Sequence, residues 1–293
     1  MDVEPENTVV LDHRATRFPW WQPAAMAALL LWLYATTLDH LVRQWWHDPN
    51  FSHGFFVPIF SGFVIWQERE RLGRIPLRPS WWGLFYLALG LCLLVLGQMG
   101  AELFLSRVSL LLVLGGLTVL FLGWPFFRAI LFPWAFLLLM IPIPAIVFNQ
   151  ITFPLQLLAS RLACGILGAL GVPVLCQGNV IVLSHRVLEV AEACSGIRSL
   201  MSLTTLAIIY GYLMERRVLT RVLLAVAALP VAVAANSLRI VGTGLLVQYW
   251  DPDKAEGFFH LFSGWLIFVV SLCMLYFLHW VLRSLWPEKG AAL

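Results

Sequence analysis

Leu188–Leu200, LEVAEACSGIRSL, is the stretch on which the reading of this chain turns. It is polar up to Ser195 and then passes into an apolar run, predicted as a helix over Ile197–Met214. The Cys194 thiol therefore stands at or just before a helix N-terminus. Unpaired N–H groups and the positive end of the helix dipole favour the thiolate there, which is the nucleophilic form. A lone cysteine in an apolar chain is more often a small packing residue. Cys194 becomes a candidate nucleophile only together with the two segments Asn236–Arg239 and Gly257–His260.

Working outward, the whole chain has the composition of a polytopic membrane protein. Of its 293 residues 60% are hydrophobic and 12% charged, the mean hydropathy is +0.84, and there are 14 tryptophans. This excludes a soluble domain. The net charge of +3 is uninformative about partners, because in such a chain the placement of Lys and Arg matters more than their sum. No basic stripe suggests nucleic acid. The five cysteines, Cys92, Cys164, Cys176, Cys194 and Cys273, have neither CxxC nor metal-ligand spacing, so neither a metal site nor a cofactor is expected. Cys92, Cys164 and Cys273 lie in apolar helices, where inert packing is the default. Cys176 and Cys194 sit in polar surroundings, so a disulfide between these two stays open.

The predicted architecture is all-α, with eight transmembrane helices, an interfacial helix and a small outer β-hairpin. Residues 1–19 form a cytoplasmic tail and 20–293 a single membrane domain. The spans are expected near Pro23–Leu38, a short second segment ending at Trp66 after the polar loop Asp39–Gly54, then Trp81–Met99, Leu103–Leu122 and Phe126–Phe148. Pro133, Pro142 and Pro144 should bend or break the fifth. Asn149–Val172, with Gln150, Gln156 and Arg161 spread along it, reads as an amphipathic helix in the interface. Gly178–Val190 reads as a hairpin around Ser184–His185. Ile197–Met214, Val222–Tyr249 and Phe259–Trp286 complete the set. With both termini inside, 12 of the 19 basic residues fall on the cytoplasmic side, including Arg69, Arg71, Arg74, Arg78, Arg216, Arg217 and Arg221. That bias has the sign the positive-inside rule demands.

In this topology Cys194 opens the sixth span, Arg239 lies near the top of the seventh and His260 opens the eighth, all at the outer level. Cys194 can attack a peptide carbonyl to give a thioester, while His260 moves protons to the leaving amine or from the incoming nucleophile. Arg239 can hold the oxyanion or the substrate chain. Asn236, one turn before Arg239, supplies a further hydrogen bond. Glu192 can orient His260, His53 can contact substrate, and Arg198 can lower the thiol pKa from one helical turn away. Each of these also has a plain structural role open to it: snorkelling arginines, an interface histidine, lipid phosphate on Arg198.

At these residues the chain resembles the exosortase family of membrane cysteine transpeptidases. The matching pieces are FSHGFFVP at Phe51–Pro58, EACSGIRSL at Glu192–Leu200, NSLRI at Asn236–Ile240 and EGFFHLFSGW at Glu256–Trp265. The resemblance implies that Cys194, Arg239 and His260 are the catalytic residues. It implies substrates that are secreted proteins with a C-terminal Pro-Glu-Pro type signal, a transmembrane helix and a basic end. These are cut at the outer face of the bacterial inner membrane and passed to a lipid-linked or surface acceptor, or to water. Some relatives continue into a soluble C-terminal domain, whereas this sequence ends at Leu293. Two rival readings compete: a transporter, suggested by the broken helices, and a non-catalytic factor in surface polysaccharide assembly. Against the transporter, the polar groups gather at one outer level, and no inverted repeat is visible.

Overall fold

A computed structural model describes residues 21–183, 187–189, 196–249 and 258–285, with only the backbone at 189, 196–199 and 258–263. The amino-terminal tail and the tip of the predicted hairpin at Ser184–His185 lie outside these residues.

The chain opens with α1 (Trp21–Leu33) and α2 (Ala35–His47), bent 67° apart. The hinge is Tyr34, fully buried, whose hydroxyl meets Ser109 at 3.0 Å. Thr37, Leu41 and Trp45 are buried at i, i+4 and i+8 of α2, with Asp39 and Arg43 paired and exposed. This one-sided pattern belongs to a helix seated on an apolar surface. It replaces most of the polar loop expected at Asp39–Gly54. A 3-10 turn, Pro49–Phe55, then leads into α3 (Phe56–Gln67) and α4 (Arg69–Gly73).

Helices α5 (Trp82–Met99) and α6 (Leu103–Phe121) form a tight hairpin. Gly83, Gly90 and Gly97 recur every seven residues on α5, and a Cβ at any of them would collide with α6 around Gly116, Val113 or Ser106. Small residues let the backbones close, which is the main source of helix adhesion where lipid removes the hydrophobic drive. Glu102 caps α6 by accepting from the Phe104 and Leu105 amides. The turn after α6 requires glycine: Gly123 has φ +88°, and a side chain there would overlap the Arg78 carbonyl.

The predicted fifth span is broken, as its prolines require. It becomes α7 (Trp124–Ala129), α8 (Leu131–Phe136), a 3-10 stretch Leu137–Met140, and a non-helical link before α9 (Ala145–Ala169). α9 has 25 residues and is long and apolar enough to cross a membrane, against the expectation of a purely interfacial helix. Three antiparallel strands follow, β1 (Val174–Gln177), β2 (Val180–Leu183) and β3 (Val187–Glu189), in the order β1-β2-β3. The hairpin is therefore a meander that starts earlier than predicted. α10 (Gly196–Met214), α11 (Val218–Tyr249) and α12 (Phe258–Leu285) end the fold.

Among the described residues five helices are long and apolar enough to cross a membrane, or six if α1 and α2 count as one bent span. The expected eight are not reproduced. α3 has only 12 residues, about 18 Å, and the fifth segment is in pieces.

Among the described residues three cores hold the helices together. One joins α1–α3, α6 and α8 to the carboxy-terminal part of α10. A second sets the sheet and α9 on α11 through Ala163, Leu167, Ile181, Ile240 and Val241. The third binds α10, α11 and α12 through Leu203, Ala207, Leu224, Ala228 and Leu275. A disulfide joins Cys164 of α9 to Cys176 of β1. This corrects one expectation, since Cys164 is not inert filler, and it closes the pairing left open between Cys176 and Cys194. Proximity decides it, because β1 lies back along α9, where the Ser160 hydroxyl donates to the Gly178 carbonyl at 2.9 Å. Cys92 and Cys273 are free.

Candidate functional site

The site is framed by three consecutive helices tied together at one end. Glu215 follows α10, and its carboxylate accepts from the His279 Nε2–H of α12 at 2.6 Å, with both side chains buried. The Tyr210 hydroxyl lies 2.6 Å from the other ring nitrogen. A carboxylate only accepts, so Nε2 carries a proton, and in a neutral ring Nδ1 accepts from Tyr210. The Arg283 guanidinium stands 3.5 Å from the same carboxylate. Arg221, in the first turn of α11, donates from Nε to the Glu215 carbonyl at 2.7 Å and stacks on Tyr212.

These contacts fix the relative register of the three helices. α10 and α12 both run away from the tie as residue numbers fall, and α11 runs away as they rise. Gly196 is 19 residues from Glu215, Arg239 is 18 from Arg221 and Phe258 is 21 from His279, which is about 28, 27 and 32 Å at 1.5 Å per residue. The start of α10, the start of α12 and Arg239 thus share the opposite end of the bundle, a hydrocarbon thickness of about 30 Å from the tie.

At that end Arg239 and Asn236 are buried, 5% and 6% exposed, one turn apart on α11. Neither is without a partner. Asn236 lines a narrow cleft of about 30 Å³ with Ala232 and Val233 of α11, Leu200 of α10, and Thr152, Leu155 and Gln156 of α9. Two side-chain amides and a hydroxyl line a space the size of about one water molecule. α9 reaches this level by running beside the half of α11 that carries Arg239, and Leu167 packs on Gly244 beyond it. Thr152 and Gln156 were not singled out as site residues in the sequence. Gln156 stood out only as one of several polar residues along an apolar helix.

His53 lies in the 3-10 turn, which packs on both α2 and α10. It is buried, its Nε2 is 3.2 Å from the Leu139 carbonyl, and its Nδ1 has no well-aligned partner. Burial pushes its pKa below the ordinary histidine value, and the nearby Leu139 and Asn50 backbone offsets part of that. Arg198 falls in the first turn of α10 and His260 in the first turn of α12, with their backbones described. Cys194 and Glu192 lie outside the described residues, as do the side chains of Arg198 and His260. Among the described residues no His, Cys, Asp and Glu group could hold a metal ion.

Fold and composition define a multi-pass helical membrane protein with buried polar groups at both ends of the α10–α12 bundle. The chain belongs to the transmembrane exosortase family, whose model matches residues 45–277. Membership points to protein processing and sorting at a membrane. Comparison with curated proteins and with solved structures gave no match.

Proposed function

We propose that the chain is a cysteine transpeptidase or peptidase acting on secreted proteins whose C-terminal tail carries a Pro-Glu-Pro type signal, a membrane helix and a basic end. In this reading Cys194 gives its proton to His260 and its sulfur attacks the scissile carbonyl. Arg239 donates hydrogen bonds to the oxyanion, His260 returns the proton to the leaving amine, and a thioester remains on Cys194. An acceptor amine or hydroxyl, or water, deprotonated by His260, then releases the new C-terminus.

The observation that carries this is the common level of Arg239 and the first turns of α10 and α12, set by the tie at Glu215. Asn236, buried one turn from Arg239, fits the same role as a further hydrogen-bond donor. The Cys164–Cys176 disulfide belongs to the same end of the fold. Disulfides persist in oxidising compartments, which supports this end facing away from the cytoplasm. The opposite end carries Arg69, Arg71, Arg74 and Arg221, as a cytoplasmic face should. A substrate helix aligned beside α10–α12 would bring its outer end to Cys194 while its basic end stays inside.

The test is co-expression with a reporter bearing such a tail. The wild type yields a shortened reporter, and Cys194→Ala, Arg239→Ala and His260→Ala each accumulate the uncut form. Normal shortening by Cys194→Ala sinks the proposal.

A further inference from the structure

At the basic end of the bundle α3, α4, α8, α10 and α11 enclose a second cavity of about 280 Å³, far from Arg239. Its polar wall is Glu68, Arg71, Tyr212 and Arg221, and Val64 and Phe132 belong to its apolar wall. Tyr212 stacks face to face on Phe132, with ring centroids 4.3 Å apart. On this platform the Arg221 guanidinium lies 4.7 Å from the Tyr212 centroid, held by its Nε–H bond to the Glu215 carbonyl. The plane of the guanidinium is thereby set, and among the described residues no hydrogen bond engages its two terminal amino groups, which can meet a ligand. Arg71 borders the same space and donates to Glu68 at 3.1 Å. Nothing in the peptide-cutting reaction uses these groups.

We propose that this cavity binds the phosphodiester of an anionic membrane phospholipid whose remaining head group is uncharged. Two arginines and one glutamate leave one positive charge, which a phosphodiester matches. Guanidinium forks are shaped for phosphate oxygens. The apolar wall beside them accommodates the glycerol and upper acyl chain, which a free phosphate does not have. A zwitterionic head group brings an ammonium whose natural partner, Glu68, is already paired with Arg71. Basic pockets between membrane helices at a cytoplasmic face are suited to such lipids. Because Arg221 also holds the Glu215 carbonyl, the bound head group stiffens the end where α10, α11 and α12 are tied.

The full-length protein is purified in detergent and titrated with phosphatidylglycerol, phosphatidylcholine or phosphatidylethanolamine, with retained lipid counted by native mass spectrometry. The expected result is selective retention of phosphatidylglycerol, lowered about fivefold by Arg71→Gln and by Arg221→Gln. Arg74→Gln, which removes an exposed arginine of the same loop outside the cavity, should leave retention unchanged. Arg71 is itself exposed, so its variant carries the test should Arg221→Gln fold poorly. Equal retention of the three lipids overturns the site. So does an equal loss in Arg74→Gln, which marks diffuse surface attraction, or displacement by millimolar inorganic phosphate, which makes free phosphate the occupant.

Discussion

His279 and Glu215, 64 residues apart in sequence, share a 2.6 Å hydrogen bond with both side chains buried, and this pair joins the end of α10 to α12. Removing His279 leaves the buried Glu215 carboxylate with only the exposed Arg283 guanidinium at 3.5 Å, and breaking a buried pair typically costs about 3–5 kcal/mol. His279→Ala should therefore lower the unfolding temperature sharply. The double variant Glu215→Leu with His279→Leu should recover much of the loss, since apolar replacements of a buried pair are often neutral. Thermal unfolding in detergent decides it, and an unchanged His279→Ala contradicts the tie.

Arg107 presents the opposite case. It is 3% exposed in the amino-terminal half of α6, and among the described residues Nε and one terminal amino group have no hydrogen-bond partner. Glu102, its electrostatic neighbour, spends its carboxylate on the cap of α6. Arg107→Met keeps the length of the side chain and removes the buried charge, so stability should rise by about 1–3 kcal/mol. A fall in unfolding temperature shows instead that Arg107 holds an anion in the folded protein.

The Cys164–Cys176 bridge predicts that Cys176→Ser and Cys164→Ser are equivalent. With the cysteines 12 positions apart in sequence, each loses about 3 kcal/mol of stability. Intact mass of the unreduced wild type should lie two units below the reduced form, and the difference should vanish in either variant. Survival of the difference in Cys164→Ser means that Cys176 has another partner.

His53 makes the stability depend on pH. Burial holds its folded pKa below the unfolded value of about 6.5, so the unfolded chain binds more protons as the pH drops. Stability from this group is complete above about pH 6.5 and is lost as the pH falls towards the folded pKa, by up to about 1.4 kcal/mol per unit. His53→Gln should flatten that slope in unfolding temperatures measured from pH 5 to 8. An equal slope in the variant assigns the effect elsewhere.

Long apolar runs were legible in the sequence because they have no competing structure. α5, α6, α10 and α12 start and stop within two residues of expectation, and the prolines of 133–144 break the chain as their missing donors require. What could not be read depends on partners distant in sequence. The bend at Tyr34 needs Ser109, and α2 becomes a helix because Thr37, Leu41 and Trp45 find a core to cover. Cys176 pairs with Cys164 because β1 folds back along α9. The Glu215–His279 tie left only a faint signal, a histidine inside an apolar run, which in a membrane span is a reason to look for its partner. Of the candidate site residues, Arg239 and Asn236 are both buried one turn apart on α11, and His53 is more deeply buried than an interface residue.

The most direct measurement is intact-protein mass spectrometry of the enzyme incubated with a synthetic tail peptide and quenched in acid. The account predicts an adduct with the mass of the amino-terminal fragment, localised to Cys194, abolished in Cys194→Ala and accumulating when acceptor amines are withheld. A shortened product formed at the normal rate without such an adduct, or formed equally by Cys194→Ala, contradicts it.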